Sequence, residues 1–301
     1  MDPIRLGIVG FGKVGKACAE TLLHSKDLSL AGIVRRSESL TLPLAEAFRK
    51  VPVVTHMAAL PRAEGALLCV PAAQVAGAAR DCLQHGIPVI ESSVLHGEAF
   101  CAYRETIHRL ALHHEVPAIV GAGWDPGGLS ILRSLFALLV PQGGIEETHR
   151  IADSLHHTAM VRQVVGVKAA LCTEHRTSSG RRQRYVYVEL EPGVDGDRVA
   201  AAIRADPLFL GDDTVVFPVE SVAALEQGRG LVLERRSAPG SVAHQRLLFE
   251  ARFDEVWTTA WMMLAAARAL PGLRPGAYTL LDLPVRDLWG TQADQAVRAW
   301  L

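Results

Sequence analysis

Five short apolar runs, at residues 4–9, 28–34, 66–70, 87–90 and 117–121, punctuate the first 122 residues of the chain. Between them, 13–24, 72–85 and 98–115 carry apolar residues at helical spacing. Uninterrupted runs this short, with no polar alternation, read as parallel strands buried on both faces. Strand and helix alternate, which predicts a doubly wound parallel sheet with right-handed crossovers and ligands at the carboxyl ends of its strands. Three such ends stand out: Gly10 to Gly15, Cys69-Val70-Pro71, and Glu91-Ser92-Ser93-Val94. Pro71 stops the strand at 66–70 and is placed to open the next helix at its first position.

The pattern changes after Gly121-Ala122-Gly123-Trp124-Asp125-Pro126-Gly127-Gly128. A helix is predicted over 129–140, followed by period-2 runs at 185–190, 214–219, 230–234 and 247–253 and an amphipathic helix over about 255–270. Pro271, Gly272, Pro275 and Gly276 break the chain before a short strand at 278–283. The fold class is therefore α/β: an N-terminal doubly wound parallel sheet plus a second α+β domain with a mostly antiparallel sheet. The expected boundaries are 1–122 for the first domain, with 271–301 packing back on it, and 123–270 for the second.

The first strand feeds straight into Gly10-Phe11-Gly12-Lys13-Val14-Gly15. In a Gly-x-Gly-x-x-Gly turn the first glycine makes the tight turn and the second lets backbone N–H groups approach a pyrophosphate. The third lets the following helix pack closely, with its N-terminus toward the anion. The second strand ends about 20 residues past Gly15, where an acidic residue would hold the ribose 2′-hydroxyl of NAD. Arg35, Arg36 and Ser37 stand there instead. Two guanidinium groups and a hydroxyl suit a 2′-phosphate, so the expected cofactor is NADP. Cys69, Val70, Pro71 and Ser92, at neighbouring strand ends, complete the cofactor candidates.

Composition narrows the partners. The chain has 301 residues, 49% hydrophobic and 21% charged, with a net charge of −1 and no long basic or acidic run. Neither nucleic acid nor an anionic membrane is an expected partner. No apolar stretch approaches the ~18 residues of a membrane span. With the first strand predicted from Ile4, no signal peptide is expected. The five cysteines show no Cys-x-x-Cys spacing, as expected for free thiols in a cytoplasmic protein. Adjacent histidines, His113-His114 and His156-His157, do not share a helix face, and no metal site is expected.

Asp125 follows the last strand of the first domain, beside the flat ring of Trp124. It could take an amine proton, orient a water or bind an ammonium group. It could equally be the turn residue capping the next helix.

At these residues the chain resembles the NADP-dependent meso-diaminopimelate dehydrogenases. The resemblance rests on Gly10 to Gly15, on Val34-Arg35-Arg36-Ser37, on Leu68-Cys69-Val70-Pro71, on Gly123-Trp124-Asp125-Pro126-Gly127 and on Arg184-Tyr185-Val186-Tyr187-Val188-Glu189-Leu190-Glu191-Pro192-Gly193. It implies a Rossmann domain, a substrate and dimerisation domain, and a homodimer. It implies reversible oxidative deamination at the D-centre of an amino acid, giving the 2-oxo acid and ammonia. Trp124 and Asp125 would lie beside the reacting centre, with Gly127 next to them, and Thr173 and Arg184 would hold a substrate carboxylate. Asp153, His157 and His244 are further pocket candidates. The family's Ser-Tyr-Asp appears here as Ser92-Ser93-Val94, and the 150–157 loop is rewritten, so a substrate other than diaminopimelate is expected. Two alternatives stand beside this reading. One is a non-catalytic NADP-binding sensor that kept only the cofactor half. The other is an imine reductase similar to dihydrodipicolinate reductases, whose His-His pair is matched by His156-His157 but whose lysine is replaced by Met160.

Overall fold

The computed structural model describes residues 2–300 except 94, 151–154, 177–181, 212, 227–229, 239 and 241–244. The chain forms two compact units, Met1–Leu135 with Glu255–Leu301, and Phe136–Asp254.

The first unit runs β1 (Ile4–Val9), α1 (Lys13–Leu23), β2 (Leu28–Val34), β3 (Val53–Val54), β4 (Gly65–Leu68), α2 (Ala72–Gln84), β5 (Val89–Glu91), α3 (Gly97–His113), β6 (Pro117–Ile119) and the start of α4 (Leu129–Leu139). In the second unit come β7 (Gly143–Arg150), α5 (Leu155–Val161), β8 (Val167–Arg176), β9 (Arg182–Leu190), α6 (Gly196–Ala205), β10 (Asp213–Pro218), α7 (Val222–Glu226), β11 (Gly230–Ser237) and β12 (Arg246–Arg252). The chain returns to the first unit with α8 (Glu255–Ala269), β13 (Gly276–Tyr278), α9 (Val285–Trp289) and α10 (Ala293–Trp300).

Seven parallel strands order β13-β6-β5-β4-β1-β2-β3. The apolar runs read as buried strands are buried: Leu6, Ile8, Ile33, Leu67, Ile90 and Ile119 are inaccessible to solvent. The order reverses beside β1, whose neighbours are β2 and β4, and this switch point opens a crevice at the strands' carboxyl ends.

Residues 123–135 and 255–270, assigned by the sequence to the second domain, lie in the first unit. The reason is the composition of α8. Ala260, Met263, Leu264, Ala266 and Ala267 are buried in one cluster with Leu6, Ala17, Cys18 and Leu22. Small alanine side chains let α8 lie close against α1. The last strand also shifts, from 278–283 to Gly276–Tyr278. After it the Asp282 carboxylate accepts the N–H and the hydroxyl of Thr279, which turns the chain. Pro71 is the N-cap of α2 rather than its first residue.

Among the described residues the second unit holds two three-stranded sheets rather than one, β10-β9-β8 and β12-β11-β7. The pairings β8–β9, β7–β11 and β11–β12 are antiparallel, and β9–β10 is parallel. Val161, Cys172, Val186, Val188, Val199 and Ile203 form its buried cluster. Among the described residues no helix is long and apolar enough to cross a membrane.

Candidate active site

The glycine-rich turn is built against two strand ends. Gly10 donates to the Val34 carbonyl at 3.0 Å, and Cys69 donates to that of Val9 at 2.8 Å. Gly10 has φ +91°, and a Cβ there would meet the Cys69 carbonyl oxygen at 2.6 Å. A Cβ on Gly15 would meet the Gly10 carbonyl oxygen at 2.2 Å. Both glycines are demanded by the protein's own packing. Gly12 is not: a Cβ there would meet nothing within 4 Å, and its φ of −79° suits any residue. It is the N-cap of α1, with no side-chain cap and no acidic residue in the first turn. The first N–H groups of α1, at Lys13 and Val14, thus face an exposed, uncapped helix start, the arrangement a phosphate satisfies.

Arg35 and Arg36 follow β2 as expected but are held differently. The Arg35 guanidinium lies over the Phe11 ring, 4.8 Å from its centroid. Its Nη1 donates to the Leu42 carbonyl at 2.9 Å and more weakly to that of Ser39 at 3.4 Å. Arg35 therefore shapes the loop beyond β2 and roofs the glycine turn. Arg36 is mostly exposed and pairs at 3.3 Å with Glu38, a contact worth little in water. Ser37 opens a single 3-10 turn. Ser92 stands against the next loop, since a Cβ on Gly123 would lie 2.9 Å from the Ser92 Cβ.

Trp124–Gly128 form one wide helical turn, inside which Asp125 keeps extended backbone angles, φ −124° and ψ 121°, and a cis bond to Pro126. Gly127 is buried, and a Cβ on it would meet the Gly121 carbonyl oxygen at 2.6 Å. The Asp125 carboxylate accepts a hydrogen bond from Arg133 Nη1 at 3.0 Å. Its other oxygen lies 3.9 Å from His96 Nε2. The carboxylate is 22% exposed. Beside it a cavity of about 290 Å³ is lined by His96, Phe100, Pro126, Ser130, Arg133 and Leu280.

Neither Arg133 nor His96 carried a sequence signal. Arg133 is on α4, and His96 is the N-cap of α3; only the fold brings them to Asp125. Glu91 is a further group the sequence marked only as a strand end. Its carboxyl is fully buried, and burial pushes its ionisation up to about 7 against the lowering effect of hydrogen bonds from the Gly121 and Ser93 backbone.

In the second unit Thr173 and Arg184 are both buried. The β8–β9 register sets Thr173 opposite Tyr185, and Glu174 opposite Arg184. Directly opposed residues share a face and successive ones alternate, so Thr173 and Arg184 point to opposite sides of the sheet. The expectation that both grip one carboxylate is corrected on this point. Arg184 faces the covered side, with its guanidinium 6.0 Å from the Phe209 ring centroid. His157, on α5, meets the same ring edge-on at 5.2 Å. Asp153, His244 and Val94 lie outside the described residues.

A parallel sheet, a glycine turn at its switch point and an uncapped helix start together define a dinucleotide-binding fold. Residues 4–91 match the model of an oxidoreductase family with an NAD-binding Rossmann fold. The chain is 35% identical to the meso-diaminopimelate D-dehydrogenase of Bacteroides fragilis over 289 residues, 96% of each chain. An engineered D-amino acid dehydrogenase shares the fold at a TM-score of 0.77 and 20% identity, covering 99% of this chain and 100% of that one. Its NADP⁺-bound form shares it at 0.67 and 20% identity, with the same coverage. The chain belongs to the meso-diaminopimelate D-dehydrogenase family. It is an oxidoreductase that uses a nicotinamide cofactor.

Proposed function

We propose that this chain is an NADP-dependent amino-acid dehydrogenase that acts reversibly at a D-centre, releasing ammonia and the 2-oxo acid, and that it works as a homodimer. The observation that carries the reading is Asp125: a partly exposed carboxylate beside a cavity, fixed by Arg133 and approached by His96.

The N–H groups at the start of α1 and Gly12 would hold the pyrophosphate, and Arg36 with Ser37 the 2′-phosphate. When bound, the oxidised nicotinamide accepts a hydride. Asp125 binds the substrate ammonium and takes one of its protons, which frees the nitrogen lone pair as the hydride leaves Cα. Asp125 passes that proton to solvent, water adds to the iminium carbon, and Asp125 accepts the proton that the water loses. That proton returns to nitrogen, and as ammonia departs the hydroxyl proton passes to Asp125 and the carbonyl of the 2-oxo acid forms. Arg133 holds the carboxylate in one orientation throughout, and Trp124 shapes the adjoining wall.

The cofactor half has a sharp test. Gly12→Ala should leave the melting temperature unchanged, because its Cβ meets no protein atom, yet weaken NADPH binding by about tenfold or more, since the methyl group stands where a phosphate approaches. Unchanged affinity in titration calorimetry would remove the pyrophosphate from this turn.

The substrate half has a second. Arg184→Leu removes a buried cation, so the variant's melting temperature is measured beside its kinetics, and KM is read only on folded protein. If Arg184 meets the substrate carboxylate, KM should rise about tenfold or more, the worth of a charge-assisted hydrogen bond. An unchanged KM would remove Arg184 from the substrate carboxylate. The reading as a whole is tested by a steady-state screen of D-amino acids with NADP⁺, and of 2-oxo acids with ammonium and NADPH. Turnover in both directions is expected; NADPH binding without any turnover would favour a sensor.

A further inference from the structure

Glu91 ends β5 with its side chain inaccessible to solvent. Its two carboxylate oxygens are divided between two loops. One accepts the N–H of Ser93, on the way to α3. The other accepts the N–H of Gly121 at 2.7 Å, on the way to Trp124 and Asp125. The Glu91 carbonyl takes the N–H of Ala122, also at 2.7 Å. Three links thus run from one residue into the segments that carry Ser92 and Asp125.

A buried carboxylate is unfavourable unless hydrogen-bonded, and here its oxygens pair two loop N–H groups that an apolar side chain would leave unsatisfied. Close by, the Tyr103 hydroxyl of α3 is buried with no hydrogen-bond partner among the described residues. Burial first, and the Glu91 charge second, push its ionisation up. Such a polar pair inside a core calls for an explanation other than packing.

We propose that Glu91 is a positioning residue of the dehydrogenase reaction, a carboxylate clamp that holds the Ser92–Ser93 loop and the Gly121–Asp125 segment in fixed register at the strand ends. This rests on the amino-acid dehydrogenase reading given above. Glu91 acts on Asp125 through the backbone, not by contact with the substrate. Displacing a reacting group by about 1 Å is enough to lower a rate by ~10², so the clamp should govern turnover more than cofactor affinity.

Glu91→Gln keeps the shape but leaves one acceptor oxygen and sets an NH₂ group against the other N–H. The expected result is a kcat at least about tenfold lower, with NADPH affinity within about twofold of the parent protein. A kcat within about twofold of the parent, or a cofactor affinity that falls in step with kcat, would overturn the clamp. Hydrogen exchange on the unaltered protein decides the matter even if the variant does not fold. The Ser93 and Gly121 amides should be protected as strongly as β5 and β6; exchange at open-loop rates would overturn the proposal. Absence of amino-acid turnover in the unaltered protein would instead overturn the functional reading, with the exchange result still deciding whether the clamp exists.

Discussion

Asp125→Asn is expected to lower kcat by a factor of roughly 10² or more, the usual size of a general acid–base contribution. The substitution is nearly isosteric and keeps an oxygen able to accept from Arg133 Nη1, which lies 3.0 Å from the carboxylate. The wide turn of Trp124–Gly128 should therefore persist. What is lost is the negative charge that binds an ammonium group and the basic oxygen that takes its proton. Because neither task involves the cofactor, NADPH affinity should be unaffected; loss of the basic oxygen should lower kcat, and loss of the charge should raise KM for the amino acid. Steady-state kinetics with NADPH titration on the same samples check this. Near-normal turnover would return Asp125 to the role of a turn residue, with Arg133 as its structural partner.

The second large effect is on cofactor choice. NADPH should bind at least about tenfold more tightly than NADH, because one or two charge-assisted hydrogen bonds to the 2′-phosphate contribute roughly 1.5–3 kcal/mol apiece. Arg36 is the better position at which to test this. Arg35 is already engaged with the Leu42 carbonyl and the Phe11 ring, so replacing it disturbs the loop as well as the charge. Arg36 is solvent-exposed and released from Glu38 at little cost. Arg36→Ala should weaken NADPH binding by about tenfold and leave NADH binding within about threefold. If NADH binds as tightly as NADPH in the unaltered protein, Arg36 does not read the phosphate, and Glu38 becomes the group to test against the ribose hydroxyls.

The parallel sheet was legible because its strands are continuous apolar runs; nothing but a doubly covered sheet buries Ile8, Leu67 and Ile119 together. The glycine turn was legible because its function is local, three glycines in six residues. The second unit was harder. β7 reads Gly-Gly-Ile-Glu-Glu-Thr-His-Arg, and β8 carries Lys168, Glu174 and His175, so neither shows the clean alternation that marked 185–190. Boundaries were misplaced where one helix, α8, follows the second unit in sequence but buries its face in the first. The surroundings of Asp125 were invisible for a related reason. His96, Arg133 and Glu91 come from three different elements, and no spacing along the chain connects them. For Thr173 and Arg184 the missing information was register, which puts them on opposite faces of β8–β9.

Under the proposed function this chain moves a hydride from the Cα of an amino acid to NADP⁺. The most direct test follows the label: a D-amino acid deuterated at Cα is incubated with NADP⁺ and the protein, and the reduced cofactor is analysed by mass spectrometry alongside the ammonia released. The account predicts singly deuterated NADPH formed in equal amount to ammonia. NADPH without deuterium, or no reduced cofactor across a panel of D-amino acids despite tight NADP⁺ binding, would contradict it.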